Sequence, residues 1–188
     1  MEIILKKEIV ANKTLCQVMG VLTFVILTSL GAFVRVPLPF SPVPITLQTF
    51  FVLLSGALLG GNLGTISQLS YLLLGVSGLS VFTGAGSGIF YLLGPTGGYI
   101  LGFVLAASFI GRSIKYSQNN FFTVFAVLFL GDLILLSSGI IWLKLLLGYS
   151  FTKVLLIGFI PFIPGDLVKA LAAAAIYLKL KSRLAEIF

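Results

Sequence analysis

The segment Pro161-Phe-Ile-Pro-Gly-Asp-Leu-Val-Lys169 sets a carboxylate and an ammonium into a chain with very little charge elsewhere. Asp166 and Lys169 are three residues apart, so on a helix they share one face, one turn from each other. Two prolines and Gly165 stand just before or beside them and an apolar run, 170–177, follows. This predicts that Asp166 lies in the first turn of the final helix, where the positive end of the helix dipole favours a carboxylate. Ionisable groups at membrane depth cost about 2.5–3.5 kcal/mol each on insertion scales, so they turn toward a cavity or one another and mark function. An ion pair that only fastens two helices is the plainer alternative. The reading pursued is a polar anchor for a small ligand. Asp132 is a second acid at membrane depth, and it could face the same cavity, pair with a lysine such as Lys144, or be protonated.

Other chemistries fail for want of parts. Without histidine there is neither a histidine general base nor a histidine metal site, so no catalytic residue and no metal ligand is assigned. Gly84-Ala-Gly86-Ser-Gly88 contains the Gly-x-Ser-Gly string of intramembrane serine proteases but lacks a base for the nucleophile. The same glycines imitate a dinucleotide loop with no preceding strand and no acidic partner downstream, and no P-loop occurs. Any cycle driven by ATP must borrow its motor.

The elements that would hold the anchor follow from hydropathy. The 188 residues are 59% hydrophobic and 9% charged, too little charge to cover a water-soluble surface. The expectation is an all-α integral membrane bundle of six transmembrane helices, with residues 1–188 forming one membrane domain and a ligand cavity near the outer face. The predicted spans are about 15–34, 45–59, 64–81, a fourth ending near 110, 121–147 and 164–178. Gly60-Gly61-Asn62 is read as a short turn between the second and third spans. The segment 154–160 is too short to cross and is read as a short or re-entrant helix over the site, and 112–120 as a soluble inner loop.

The net charge of +7 is read as positive-inside topology rather than nucleic-acid binding. Lys6, Lys7 and Lys13 precede the first span, Arg112 and Lys115 sit mid-chain, and Lys179, Lys181 and Arg183 follow the last. Both termini are therefore expected in the cytoplasm. The single Cys16 permits no internal disulfide. On the first span Thr28 and Ala32 form a small-xxx-small pair, for which internal packing is the simpler explanation.

Three stretches between spans read as outer connections built for a lidded pocket. Four prolines in Pro37-Leu-Pro-Phe-Ser-Pro-Val-Pro-Ile-Thr-Leu-Gln-Thr49 exclude a helix and favour stiff, extended backbone. The glycines of 82–99 suit a lined cavity, because irregular backbone at membrane depth must be buried by protein or face one. Gly94-Pro95-Thr96-Gly97-Gly98 looks like a helix start with N–H groups able to meet an oxygen-bearing ligand. Gly148 to Lys153 makes the third connection. Gln68, Ser70 and Tyr71 on the third span are read as packing residues.

Taken together, Pro37 to Thr49, Leu93-Gly-Pro-Thr-Gly-Gly-Tyr99 and Pro161 to Lys169 resemble the BioY family, the biotin-specific S components of energy-coupling-factor (ECF) transporters. The likeness covers essentially the whole chain, with the motifs in the family's order and spacing. It implies a cell-membrane protein that captures biotin from outside without a cofactor of its own. It also implies docking to a transmembrane coupling subunit bearing two cytoplasmic ATPases, with Thr28 and Ala32 as the docking face. Biotin's ureido ring offers two N–H donors and one acceptor, its rings and chain are apolar, and its carboxylate is anionic. Asp166 could accept the ureido N–H groups, while Lys169, Thr83 or Thr96 could donate to an oxygen and Gln48 stands near. Phe82, Phe90, Tyr91 and Phe40 could enclose the apolar part. For the biotin carboxylate, Arg35 and Lys169 both stay open. A self-sufficient secondary carrier using Asp132 is the second hypothesis, and a membrane enzyme or structural bundle the third.

Overall fold

Long apolar runs bounded by proline, glycine or charge give helices, and the computed structural model, which describes residues 13–117 and 120–184, is built almost wholly from them. Helix α1 is Lys13–Phe33, α2 Gln48–Val76, α3 Ile89–Leu92, α4 Gly97–Ser113, α5 Phe121–Leu147, α6 Phe151–Gly158 and α7 Ile163–Leu184. A 3-10 turn, Ile114–Tyr116, extends α4. Among the described residues, four helices are long and apolar enough to cross a membrane, or five if the bent pair α6 and α7 counts as one. Lys6 and Lys7 and the side chain of Arg183 lie outside the described residues.

Helix α2 is not a single rod. In a continuous helix Gln48 and Tyr71 would stand about 35 Å apart, yet their side chains are hydrogen-bonded. Gln68 likewise donates to Ser55 at 3.0 Å, and Gly64 packs on the backbone of Ser55 and Gly56. The chain doubles back at Gly60, whose φ of 80° and ψ of 179° are open to glycine almost alone. The arms 48–59 and 61–76 therefore lie antiparallel, as the Gly60-Gly61-Asn62 signal implied.

Close approach of backbones organises the rest. Gly56 lies against Ala107, Gly111 against Gly60 and Gly61, Gly102 against Leu135, and Gly98 against Trp142. These contacts seat α4 between the α2 arms and α5. Asn120 caps α5 by accepting from the Phe122 N–H at 2.9 Å, and Gly148 ends it in the left-handed region, φ 63°. Helices α6 and α7 meet at 51° across the break at 159–162. There Asp166 N–H bonds the Phe162 carbonyl at 2.9 Å, and Pro164 sits in the first turn, where its missing N–H is harmless.

Several expected boundaries shift. The proline-rich segment is extended as foreseen, but it is pinned as a hairpin of two short strands, β1 Arg35–Val36 and β2 Ile45–Thr46, with Arg35 opposite Thr46. Leu47 N–H ties it to the carbonyls of Gly31 and Val34. The third predicted span stops at Val76 instead of 81, because Gly78 turns the backbone to φ 106° while the sequence stays apolar. The supposed inner loop 112–120 is helical to Tyr116. The short helix expected at 154–160 is Phe151–Gly158, and the last helix runs to Leu184 instead of 178.

The face of α1 carrying Thr28 and Ala32 is turned inward: both residues are fully buried, and Thr28 accepts from Gln68 at 3.4 Å. In this structure the pair packs inside the chain, against the second arm of α2. The opposite face of α1, with Leu22, Ile26 and Leu30, is the exposed one.

Candidate functional site

Residues Gln48 and Thr49 open α2 immediately after the proline hairpin, and being consecutive they point different ways into the bundle. Gln48 accepts from Thr83 at 2.9 Å and Thr46 at 3.3 Å and donates to the Tyr71 hydroxyl, which itself donates to the Val81 carbonyl at 3.1 Å. Thr49 faces α7. Its hydroxyl accepts from the Lys169 ammonium at 2.8 Å and donates to Asp166 Oδ1 at 3.3 Å, while Lys169 also bonds that same oxygen at 2.8 Å. An amide centre and an ion-pair centre thus stand side by side.

Both centres meet a cavity lined by Val43, Pro44, Thr46, Gln48, Thr49, Thr83, Thr96, Tyr99, Ile100, Phe103, Leu135, Leu136, Phe162 and Lys169. Its polar lining comes from β2, α2, the 77–96 loop and α7, and its aromatic and aliphatic lining mostly from α4, α5 and the α6–α7 break. Its water-accessible volume is only about 40 Å³, room for a few waters. A small organic ligand occupies pockets of about 300–1,000 Å³, so admission requires the lining segments to part.

The proline hairpin, the glycine-rich loop and the α6–α7 break all reach this end of the bundle. Thr83 belongs to the glycine-rich loop, in which Phe82 stacks on Tyr91 with centroids 5.1 Å apart and Tyr91 donates to the Thr83 carbonyl at 2.9 Å. Tyr99 of α4 donates to the Gly158 carbonyl at 2.6 Å and stacks on Phe162, joining the α6–α7 break to the wall. Trp142 donates to the Gly94 carbonyl at 2.9 Å.

Of the residues expected at the site, Gln48, Thr83, Thr96 and Lys169 line the cavity. Asp166 does not line it. It is fully buried behind Lys169 and holds the ammonium in place. Tyr91 stands outside the lining and braces the Thr83 loop. Arg35 lies on the hairpin, its guanidinium packed over Gly84, and is exposed. Phe82 is buried away from the lining, and Phe40 and Phe90 are exposed, Phe90 by 85%; the expected aromatic enclosure is corrected to Tyr99, Phe103 and Phe162. Asp132 does not pair with Lys144, which lies over the Phe151 ring at 5.6 Å. Gly97 and Gly98 serve packing against Leu92 and Trp142 rather than ligand contact, and the Gly97 N–H is already bonded to Gly94.

Thr46 and Thr49 are the polar lining residues that the expected site left out, although both stand visibly beside Gln48 at the helix start. Thr49→Val keeps its shape and removes both of its hydrogen bonds to charged groups, which are worth about 1.5–3 kcal/mol each. A lower unfolding temperature in detergent is the expected outcome; an unchanged one would show that the ion pair stands without the threonine.

The comparisons with known proteins agree with one another. The family model described as "BioY family" matches residues 6–186. The chain is 41% identical over 163 residues to a "Probable biotin transporter BioY" of Pyrococcus horikoshii, covering 85% of this chain and 93% of that one. It is 40% identical over 158 residues to the "Biotin transporter BioY" of Thermotoga maritima, covering 84% and 91%. A crystal structure of the S-component for biotin from an ECF-type ABC transporter superposes with TM-score 0.85 at 30% identity, over 91% of this chain and 93% of that one. Matched along nearly its full length by the family model, by curated relatives and by a solved structure, the chain belongs to the BioY family.

Proposed function

We propose that this chain captures biotin with high affinity and carries it across the cell membrane as the S component of an ATP-driven ECF transporter. It is a multi-pass membrane transport component and not an enzyme. The observation that carries the reading is the division of the cavity lining. Gln48, Thr46, Thr49, Thr83 and Lys169 offer both donors and acceptors, as a ureido ring with two N–H groups and a carbonyl requires. Tyr99, Ile100, Phe103, Leu135, Leu136 and Phe162 form an apolar wall suited to the fused rings and valeryl chain. Lys169 or Arg35 meets the biotin carboxylate, and Thr96 adds a further hydroxyl.

In this reading the chain crosses six times, by α1, the two arms of α2, α4, α5 and α7, with α6 lying across the mouth. Both termini are cytoplasmic and the cavity faces outward. The proline hairpin and the 77–96 loop part to admit biotin and close over it. A transmembrane coupling subunit with two cytoplasmic ATPases then drives reorientation, since the sequence carries no P-loop. No nucleic acid or resident cofactor takes part.

The test is biotin binding to the detergent-purified chain, followed by uptake into proteoliposomes with and without the coupling subunit and ATPases. Saturable binding, with uptake only when the ATPases hydrolyse ATP, is expected. Absence of binding sinks the reading. Uptake by the chain alone under an ion gradient would replace it with the secondary-carrier reading, for which the buried Asp132 is the specific motive.

A further inference from the structure

Asp132 has no place in the network just described. It lies on α5 one turn below Leu135 and Leu136, which line the cavity, and it is fully buried. Neither of its carboxylate oxygens has a hydrogen-bond partner, and Oδ2 of Asp166 also has none. Three of the four acid oxygens in these two residues are therefore unsatisfied in a setting where an orphaned charged group is costly. Meanwhile α5 packs on α7, the helix that carries Asp166 and Lys169. An ammonium has three N–H groups; the bonds described for Lys169 use two, to Asp166 and Thr49. Lys169 is also the one member of the ion pair that reaches the cavity.

We infer that Lys169 has two seats, the observed one on Asp166 and a second on Asp132, and that its transfer to Asp132 frees Asp166 to accept N–H groups of the ligand. Asp132 is thus a positioning residue. It touches no ligand and acts by receiving the ammonium, which keeps an N–H toward the cavity while Asp166 is uncovered. The closed form pairs Lys169 with Asp166 and leaves Asp132 bare. The loaded form pairs Lys169 with Asp132 and lets the ligand satisfy Asp166. Each form keeps two buried acids and one base, so the exchange moves no net charge into or out of the membrane. A flexible four-carbon stem with a rotatable ammonium suits such a move, whereas a guanidinium fork would not.

This inference rests on the biotin reading for its ligand but not for its test. In ligand-free protein, Asp132→Asn should leave the unfolding temperature unchanged or raised, because Asp132 has no partner to lose. In an Asp166→Asn background the same substitution should lower it by about 4 °C or more, because Lys169 then depends on its second seat. Failure of only the double variant to fold counts as the same result. Biotin titration should show Asp132→Asn binding at least tenfold more weakly, with Asp132→Glu recovering part of the loss. Loss of stability for Asp132→Asn in the wild-type background, or equal effects in both backgrounds, would overturn the two-seat arrangement. If wild-type protein fails to bind biotin, the functional reading falls and the stability cycle still decides the switch.

Discussion

Lys169→Met is expected to abolish measurable biotin binding, a loss of more than about 100-fold, and to destabilise the protein by about 3–5 kcal/mol. The stability term follows from the burial of Asp166: removing one partner of a buried pair leaves an uncompensated charge, which costs more than the pair contributes. The binding loss follows from position, since Lys169 is the charged group that lines the cavity. The double variant Asp166→Asn/Lys169→Met separates the two effects. It should regain most of the stability, because neither charge of the pair remains, and none of the binding. Calorimetric titration and thermal unfolding in detergent read both quantities. Full affinity in Lys169→Met would remove the ion pair from recognition and leave it as a fastening between helices.

The second large effect concerns the frame rather than the site. A Cβ on Gly111 would stand 2.3 Å from the backbone of Gly60 and Gly61, atoms that cannot rotate aside. Gly111→Val is expected to force α4 off the α2 turn at a cost of at least about 3 kcal/mol, lowering the unfolding temperature by about 6–12 °C. Gly165→Ala is the matched control. Nothing lies within 4 Å of its Cβ and its φ is ordinary, so its unfolding temperature should hold or rise slightly. Equal behaviour of the two variants would show that the turn and α4 do not depend on that contact.

How much of this was readable beforehand depends on which physical property the residues advertise. Hydropathy marks α1 and α5 to within a residue or two, and glycine marks the reversal at Gly60, because no other residue adopts that backbone cheaply. Hydropathy cannot see where a helix stops inside an apolar run, which is why the third span overshot past Gly78. At the site, Asp166 and Lys169 stand out because charge is rare in such a chain and their spacing alone puts them on one face. The wall of Tyr99, Phe103, Leu135, Leu136 and Phe162 did not stand out, since apolar side chains turned to lipid, to core or to a cavity are written identically. Phe90 was misplaced for the same reason. Thr28 and Ala32 carry the small-residue signature that permits close approach, but that signature does not say which helix approaches.

The short first arm of α2 has a bearing on how the protein sits among its lipids. Residues 48–59 rise only about 18 Å, well under the roughly 30 Å of a hydrocarbon layer, and the proline hairpin precedes them directly. In the orientation proposed above, with the cavity facing outward, its mouth is a dent beneath the level of the neighbouring headgroups. Bilayer thickness enters the behaviour of such a carrier directly: a thicker membrane deepens the dent and lengthens the path a polar solute must descend, while a thinner one brings the opening level with water.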